Sequence, residues 1–225
     1  MDVHCSKHIT PWLEKSAPLE PVPTHATARF APDPDIKAVI FDVYGTLLIS
    51  ASGDIDQAVF SKRNILKALE HSGITLATDT PSRVADELMA TYRREIAREH
   101  EERKSEGIPH PEVEIRGIWR RVLLSFGDVL HLPDTEEDQA MTCLSFLFEL
   151  FSNPVSPMPH LIPTLTALHD HGVPLGIVSN AQFYTPAVLQ YFLSGSIERT
   201  ASLPFFNDDL CIFSYAFKRA KPDNA

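Results

Sequence analysis

A run of branched apolar residues, Ile36-Lys37-Ala38-Val39-Ile40-Phe41, ends in a carboxylate at Asp42, and the chain turns just beyond it at Gly45-Thr46. The run is too short for a helix and is bounded by a turn, so it reads as a central strand of a parallel sheet. Open α/β sheets bind their ligands at the carboxyl ends of such strands. Asp42 therefore stands where chemistry is expected, and Gly45 lets the backbone turn sharply beside it.

The next clear apolar strand is Val173-Pro174-Leu175-Gly176-Ile177-Val178, ending in Ser179-Asn180, and a third follows at Leu210-Cys211-Ile212-Phe213. Roughly a hundred residues separate the first two, far more than an ordinary βα crossover. Helical patterns fill them: Ile55 to His71, a segment opening at Asp79-Thr80-Pro81 and running into the charged stretch Arg98 to Glu106, one opened by Pro111, and one from Thr135 to Phe151. Ser52-Gly53-Asp54 reads as a hairpin or flap. The expected architecture is a doubly wound α/β core (36–50 and 156–225) carrying an all-helical insertion (51–155). Residues 1–35 are expected to lie outside the fold as an arm, because Pro11, Pro18, Pro21, Pro23, Pro32 and Pro34 break helices and most strands. His4, Cys5 and His8 lack a fourth metal ligand nearby, and His169 and His171 close a helix, so these are taken as structural.

Composition bears on what the chain can bind. A hydrophobic fraction of 44% with 22% charged residues is that of a soluble globular protein. A net charge of −10 and a pI near 5.4 set nucleic acid and anionic membrane aside as main partners. Cys5, Cys143 and Cys211 are too few and scattered for a disulfide framework. No apolar stretch reaches membrane-spanning length, and Asp2, His4, Lys7 and Glu14 interrupt any signal core. A cytoplasmic location is the expectation, with a small anionic substrate and a homodimer left open as partners.

Three short signals carry the chemistry: Asp42-x-Tyr44-Gly45-Thr46, Ser179-Asn180 at a strand end, and Lys221-Pro222-Asp223. In this order and around a helical insertion they resemble the haloacid dehalogenase-like (HAD) hydrolase superfamily, from about Asp35 to Ala225. The resemblance implies a Rossmann-like core with a helical cap and a nucleophilic Asp42 that forms a covalent intermediate. It further implies that Ser179, Asn180 and the backbone at Gly45 hold substrate oxygens, that Lys221 offsets the negative charge, and that Thr46 fixes the loop. Lys218 is a rival for the lysine role with poorer spacing from Pro222.

Tyr44 departs from the phosphatases of this superfamily, which usually place a second Asp there as acid and base. A phenol of pKa ~10 is a poor substitute. Tyrosine at this position is similar to the 2-haloacid dehalogenases, whose halide needs no proton, and is compatible with acyl or enol phosphates. Against a dehalogenase, their halide-binding arginine has only Arg63 as a counterpart, and that one is early in the sequence. Ala181-Gln182-Phe183-Tyr184 also differs from their usual turn. The expectation is therefore a small phosphorylated metabolite first and a haloacid second. A non-catalytic binding protein on the same scaffold is the third reading. Mg²⁺, held by Asp42 and the Tyr44 carbonyl, is implied for a phosphatase, and no cofactor for a dehalogenase. A fourth motif, carried in the superfamily on a further strand, is expected beyond Ala225. Tyr92 and Trp119 join Arg63 as candidate substrate contacts from the cap.

Overall fold

The computed structural model describes residues 3–27, 31, 35–51, 61–133, 137–198 and 202–223. The flap at 52–54, the first part of the helix expected from Ile55, the start expected at Thr135, and Pro32 and Pro34 lie outside them.

Three strands make a parallel sheet in the order β1-β6-β7: β1 is Val39–Phe41, β6 Leu175–Ser179 and β7 Cys211–Phe213. Ile40 lies opposite Gly176 and Val178 opposite Ile212. Gly176 is required by this register. A Cβ there would come within 2.6 Å of Leu210 and 2.7 Å of Ile40 Cδ1, closer than packed atoms tolerate. β1 is outermost among the described residues rather than central, and Ile40 is 50% exposed. An apolar run alone does not say on how many sides a strand is covered.

Beyond Phe41 the chain folds back on itself. The Val43 carbonyl accepts the N–H groups of Thr46, Leu47 and Leu48 at 2.8–3.2 Å, while Gly45 adopts φ +80°, a conformation that a side chain would strain. β2 (Leu48–Ser50) then pairs antiparallel with β5 (Val155–Pro157). This ribbon puts the two ends of the long intervening segment side by side, so the segment leaves the core and returns at one place.

Between β2 and β5 lie α2 (Lys62–His71), α3 (Pro81–Ser105), α4 (Ile115–Leu124) and α5 (Glu137–Ser152), packed α2 on α3 and α5, and α4 on α3 and α5. The segment is not all helical, because β3 (Thr75–Leu76) and β4 (Leu130–His131) pair antiparallel within it. The charged stretch at 98–105 continues α3 for its last two turns. Arg98 bonds Glu95, Arg103 bonds Glu99, and Arg121 reaches across from α4 to both glutamates at 2.8 and 2.5 Å. The third helix starts at Ile115 rather than Pro111, capped by the Glu114 side chain on the Gly117 N–H, while Pro111 bridges to Arg219. Tyr92, Trp119 and Phe148 stack with ring centroids 4.5–5.7 Å apart. Tyr92 is 5% exposed and Trp119 fully buried, so both pack in the core of the insertion.

The described N-terminal residues do not all stand clear of the fold as an arm: residues 3–14 pack onto it. α1 (Val3–Glu14) packs on α5, burying Cys5, Ile9 and Leu13, which recur every fourth residue on one face. Pro11 sits inside this helix on its exposed side, where the carbonyl left without a partner can meet water. Lys67 Nζ lies 3.8 Å from the Trp12 ring centre and 3.9 Å from that of Phe151, clamping α1 to α2 and α5. Further on, the Leu19 N–H donates to Ser156 Oγ on β5.

The remaining elements follow the sequence pattern closely. α6 (Leu161–Asp170) is followed by Gly172, with φ +72°. α7 (Tyr184–Ser194) crosses from β6 toward β7, and α8 (Ser214–Phe217) follows β7 directly.

Candidate active site

Asp42 leaves the end of β1 exposed to solvent, and its Oδ1 accepts the Val43 N–H at 2.8 Å. Lys221 reaches the same oxygen, with Nζ 3.1 Å away, and also donates to the Val178 carbonyl at the end of β6. Asn180 fixes the lysine's loop: its Oδ1 accepts the Lys221 N–H at 2.6 Å, and its Nδ2 donates to the Lys221 carbonyl at 3.4 Å. The side chains of Asp42 and Lys221 keep 45% and 40% exposure, so a ligand can reach both. Asp42, Asn180 and Lys221 thus meet although up to 179 positions separate them in sequence.

Ser179 precedes Asn180 and is 2% exposed, and its hydroxyl has no hydrogen-bond partner among the described residues. Gly45 and Thr46 belong to the turn, where the Thr46 N–H holds the Val43 carbonyl at 3.2 Å. Lys218 lies apart from these groups. It caps α8 in the left-handed region and its side chain lines a charged groove with Glu99, Arg103 and Arg121. Arg63 is exposed on α2 beside Lys67 and is not among the residues gathered here.

Tyr44 turns inward. Its hydroxyl bonds Thr185 Oγ1 at 2.9 Å, and Thr185 is fully buried. Burial, reinforced by the nearby Glu149 carboxyl, pushes the phenol's pKa up, against the opposing pull of that hydrogen bond. The phenol therefore stays neutral throughout the physiological range.

Behind Tyr44 a cavity of about 60 Å³ is lined by Tyr44, Glu112, Glu149, Asn180, Ala181, Gln182 and Tyr184. Burial pushes the carboxyls of both Glu112 and Glu149 up. Glu149 accepts from Asn153 Nδ2 at 3.1 Å, and Asn153 in turn accepts from Ser50 Oγ at 2.7 Å. Sequence reasoning passed over Glu112, Glu149, Thr185 and Ser214. Gln182 and Tyr184 entered only within Ala181-Gln182-Phe183-Tyr184, the stretch that differs from the usual dehalogenase turn.

Mg²⁺ prefers six oxygen ligands in near-octahedral array. Among the described residues no group of three His, Cys, Asp or Glu is placed to hold a metal ion, and Asp42 Oδ1 already faces an ammonium. Among the described residues no helix is long and apolar enough to cross a membrane.

A family model described as a haloacid dehalogenase-like hydrolase matches residues 36–225. No curated protein matches the chain. Two solved structures of a dehalogenase, one with an intermediate complex, are similar at 18% and 16% identity, each with a TM-score of 0.36. They cover 85% and 84% of this chain and 68% and 66% of their own. An L-2-haloacid dehalogenase is similar at 21% identity and a TM-score of 0.34, over 83% of this chain and 67% of that one. The chain thus spans about two thirds of the length of each. The family model covers the whole sheet and all three sequence signals, and on that ground the chain belongs to the haloacid dehalogenase-like hydrolases and is an enzyme of the HAD superfamily.

Proposed function

We propose that the protein is a dehalogenase-type hydrolase, displacing halide from a small 2-halocarboxylate through a covalent ester at Asp42. Tyr44 carries this reading. The position beside the nucleophile holds a phenol bonded to Thr185 and kept from ionising, where a reaction with an alkoxide leaving group needs a tunable acid. A halide leaves without a proton.

In the first step an Asp42 oxygen forms a bond to the halogenated carbon while the carbon–halogen bond breaks, and the halide departs with the bonding electrons. Water then attacks the ester carbonyl, restoring the Asp42 carboxylate and releasing a hydroxy acid and a proton. Lys221, 3.1 Å from Asp42, offsets the approach of one anion to another. Asn180 and the unpaired hydroxyl of Ser179 would hold the substrate carboxylate, and α2–α5 would close over it as a cap.

A phosphoryl substrate with a good leaving group is the second reading, favoured by Lys221 and Asn180 as holders of any small anion. The two readings separate in one assay. Chloride release from L-2-chloropropionate in the presence of EDTA is expected, and Asp42→Asn should abolish it while leaving the circular dichroism unchanged. Absence of chloride release together with Mg²⁺-dependent phosphate release from acetyl phosphate would overturn the dehalogenase reading.

A further inference from the structure

Glu112 lies far from Asp42 in sequence, on the segment between α3 and α4, yet its carboxylate sits where the two loops of the site meet. Its backbone N–H donates to the Lys218 carbonyl at 3.1 Å, and the Ala220 N–H donates to the His110 carbonyl at 2.8 Å. Residues 110–112 therefore run as an antiparallel partner of 218–220, the residues that lead into Lys221. The side chain does the same for the other loop. Glu112 Oε1 accepts from Gln182 Nε2 and the Val113 N–H, both at 3.0 Å, and Oε2 accepts from Ser214 Oγ at 2.7 Å. Ser214 Oγ in turn accepts the Ala181 N–H at 2.8 Å. Gln182 reaches back to the Val113 carbonyl at 2.8 Å and accepts the Ile115 N–H at 3.2 Å.

One carboxylate thus ties together the loop after β6, the first residue after β7 and the segment paired with 218–220. On the far side of those loops Asn180 holds the Lys221 N–H, and Lys221 faces Asp42. We propose that Glu112 is a positioning residue for the reacting site: through Ser214, Gln182 and the 218–220 backbone it sets where Asn180 and Lys221 stand relative to Asp42. A misplacement of about 1 Å is enough to cost on the order of 10²-fold in rate. This inference rests on Asp42, Asn180 and Lys221 being the reacting groups.

The hydrogen-bond pattern says which substitution is tolerated. In Glu112→Gln the carbonyl still accepts from Gln182 and Val113. The new amide donates to Ser214 Oγ, whose own hydrogen turns to the Ala181 carbonyl, 3.2 Å away. In Glu112→Ala both Ser214 and Gln182 lose that partner. Ser214→Ala breaks the same network more gently and guards against a Glu112→Ala chain that does not fold.

The test combines chloride release from L-2-chloropropionate with amide hydrogen exchange, read by mass spectrometry, on wild type and the three variants. Glu112→Ala is expected to lower kcat on the order of 10²-fold with little change in KM, and Glu112→Gln to stay near wild type. Exchange should rise in peptides covering 180–182 and 218–221, in Glu112→Ala and Ser214→Ala alike, and not in α2 or α3. Exchange that rises throughout the chain, with activity falling only as the folded fraction falls, would overturn the proposal. Equal losses in Glu112→Gln and Glu112→Ala would also overturn it. If wild type turns over neither chloropropionate nor acetyl phosphate, the functional reading has failed. The exchange pattern alone then decides the positioning role, and unchanged protection at 180–182 and 218–221 refutes it.

Discussion

Tyr44 takes its role from its surroundings. The hydroxyl that could have served as an acid is bonded to a buried threonine and has its pKa pushed up by burial, so it packs and does not titrate. Tyr44→Phe leaves Thr185 Oγ1 without that bond and should destabilise the fold by about 1–3 kcal/mol in denaturant titration. Chloride release per folded molecule should persist. A fall of several orders of magnitude in kcat would instead show the phenol moving a proton. Glu149 yields a pH signature. Burial raises its carboxyl in the folded state, so its contribution to stability is fully present below the unfolded pKa of about 4.3 and is lost as pH rises through the raised folded value. Glu149→Gln keeps the carbonyl that accepts from Asn153 and carries no charge to bury. The variant should melt higher than wild type in mildly alkaline buffer and approach it near pH ~4, where both side chains are neutral.

At the scale of elements, the strands were legible because each is a short apolar run ended by polar residues, and their ends carry Asp42 and Asn180. The β6 register turns on Gly176, which no apolar pattern marks as special. Gly176→Ala should cost about 1–3 kcal/mol, since the methyl group meets backbone at Leu210 as well as a side chain. α1 was hidden by Pro11, whose reputation as a helix breaker outweighed the spacing of Cys5, Ile9 and Leu13. A proline on the solvent side of a short helix disturbs little when the opposite face is buried. Ile9→Ala should therefore lower the unfolding free energy by about 2–5 kcal/mol, where the same change in a loose arm would leave it unchanged. The charged end of α3 carries local ion pairs that its sequence spacing shows, whereas the reach of Arg121 from α4 to Glu95 and Glu99 leaves no local signal.

Over the whole molecule, the family and the α/β plan followed from three short signals around a long insertion. The site's second layer did not. Glu112, Ser214 and Thr185 take their meaning from loops that meet only after the sheet forms, and nothing in their neighbours along the chain announces it. The β2–β5 ribbon, which returns the insertion to the place it left, is likewise a tertiary pairing between Leu48–Ser50 and Val155–Pro157. What the fold delivers is one carboxylate at a strand end, faced by one lysine, with no titrating partner at Tyr44. The claim that Asp42 is a covalent nucleophile is tested most directly by a single turnover of L-2-chloropropionate in ¹⁸O-labelled water, with enzyme in excess. The account predicts that the label enters the peptide containing Asp42 and that the product hydroxyl carries unlabelled oxygen. Label in the product and none in the peptide would mean that water attacks the substrate directly, and would contradict it.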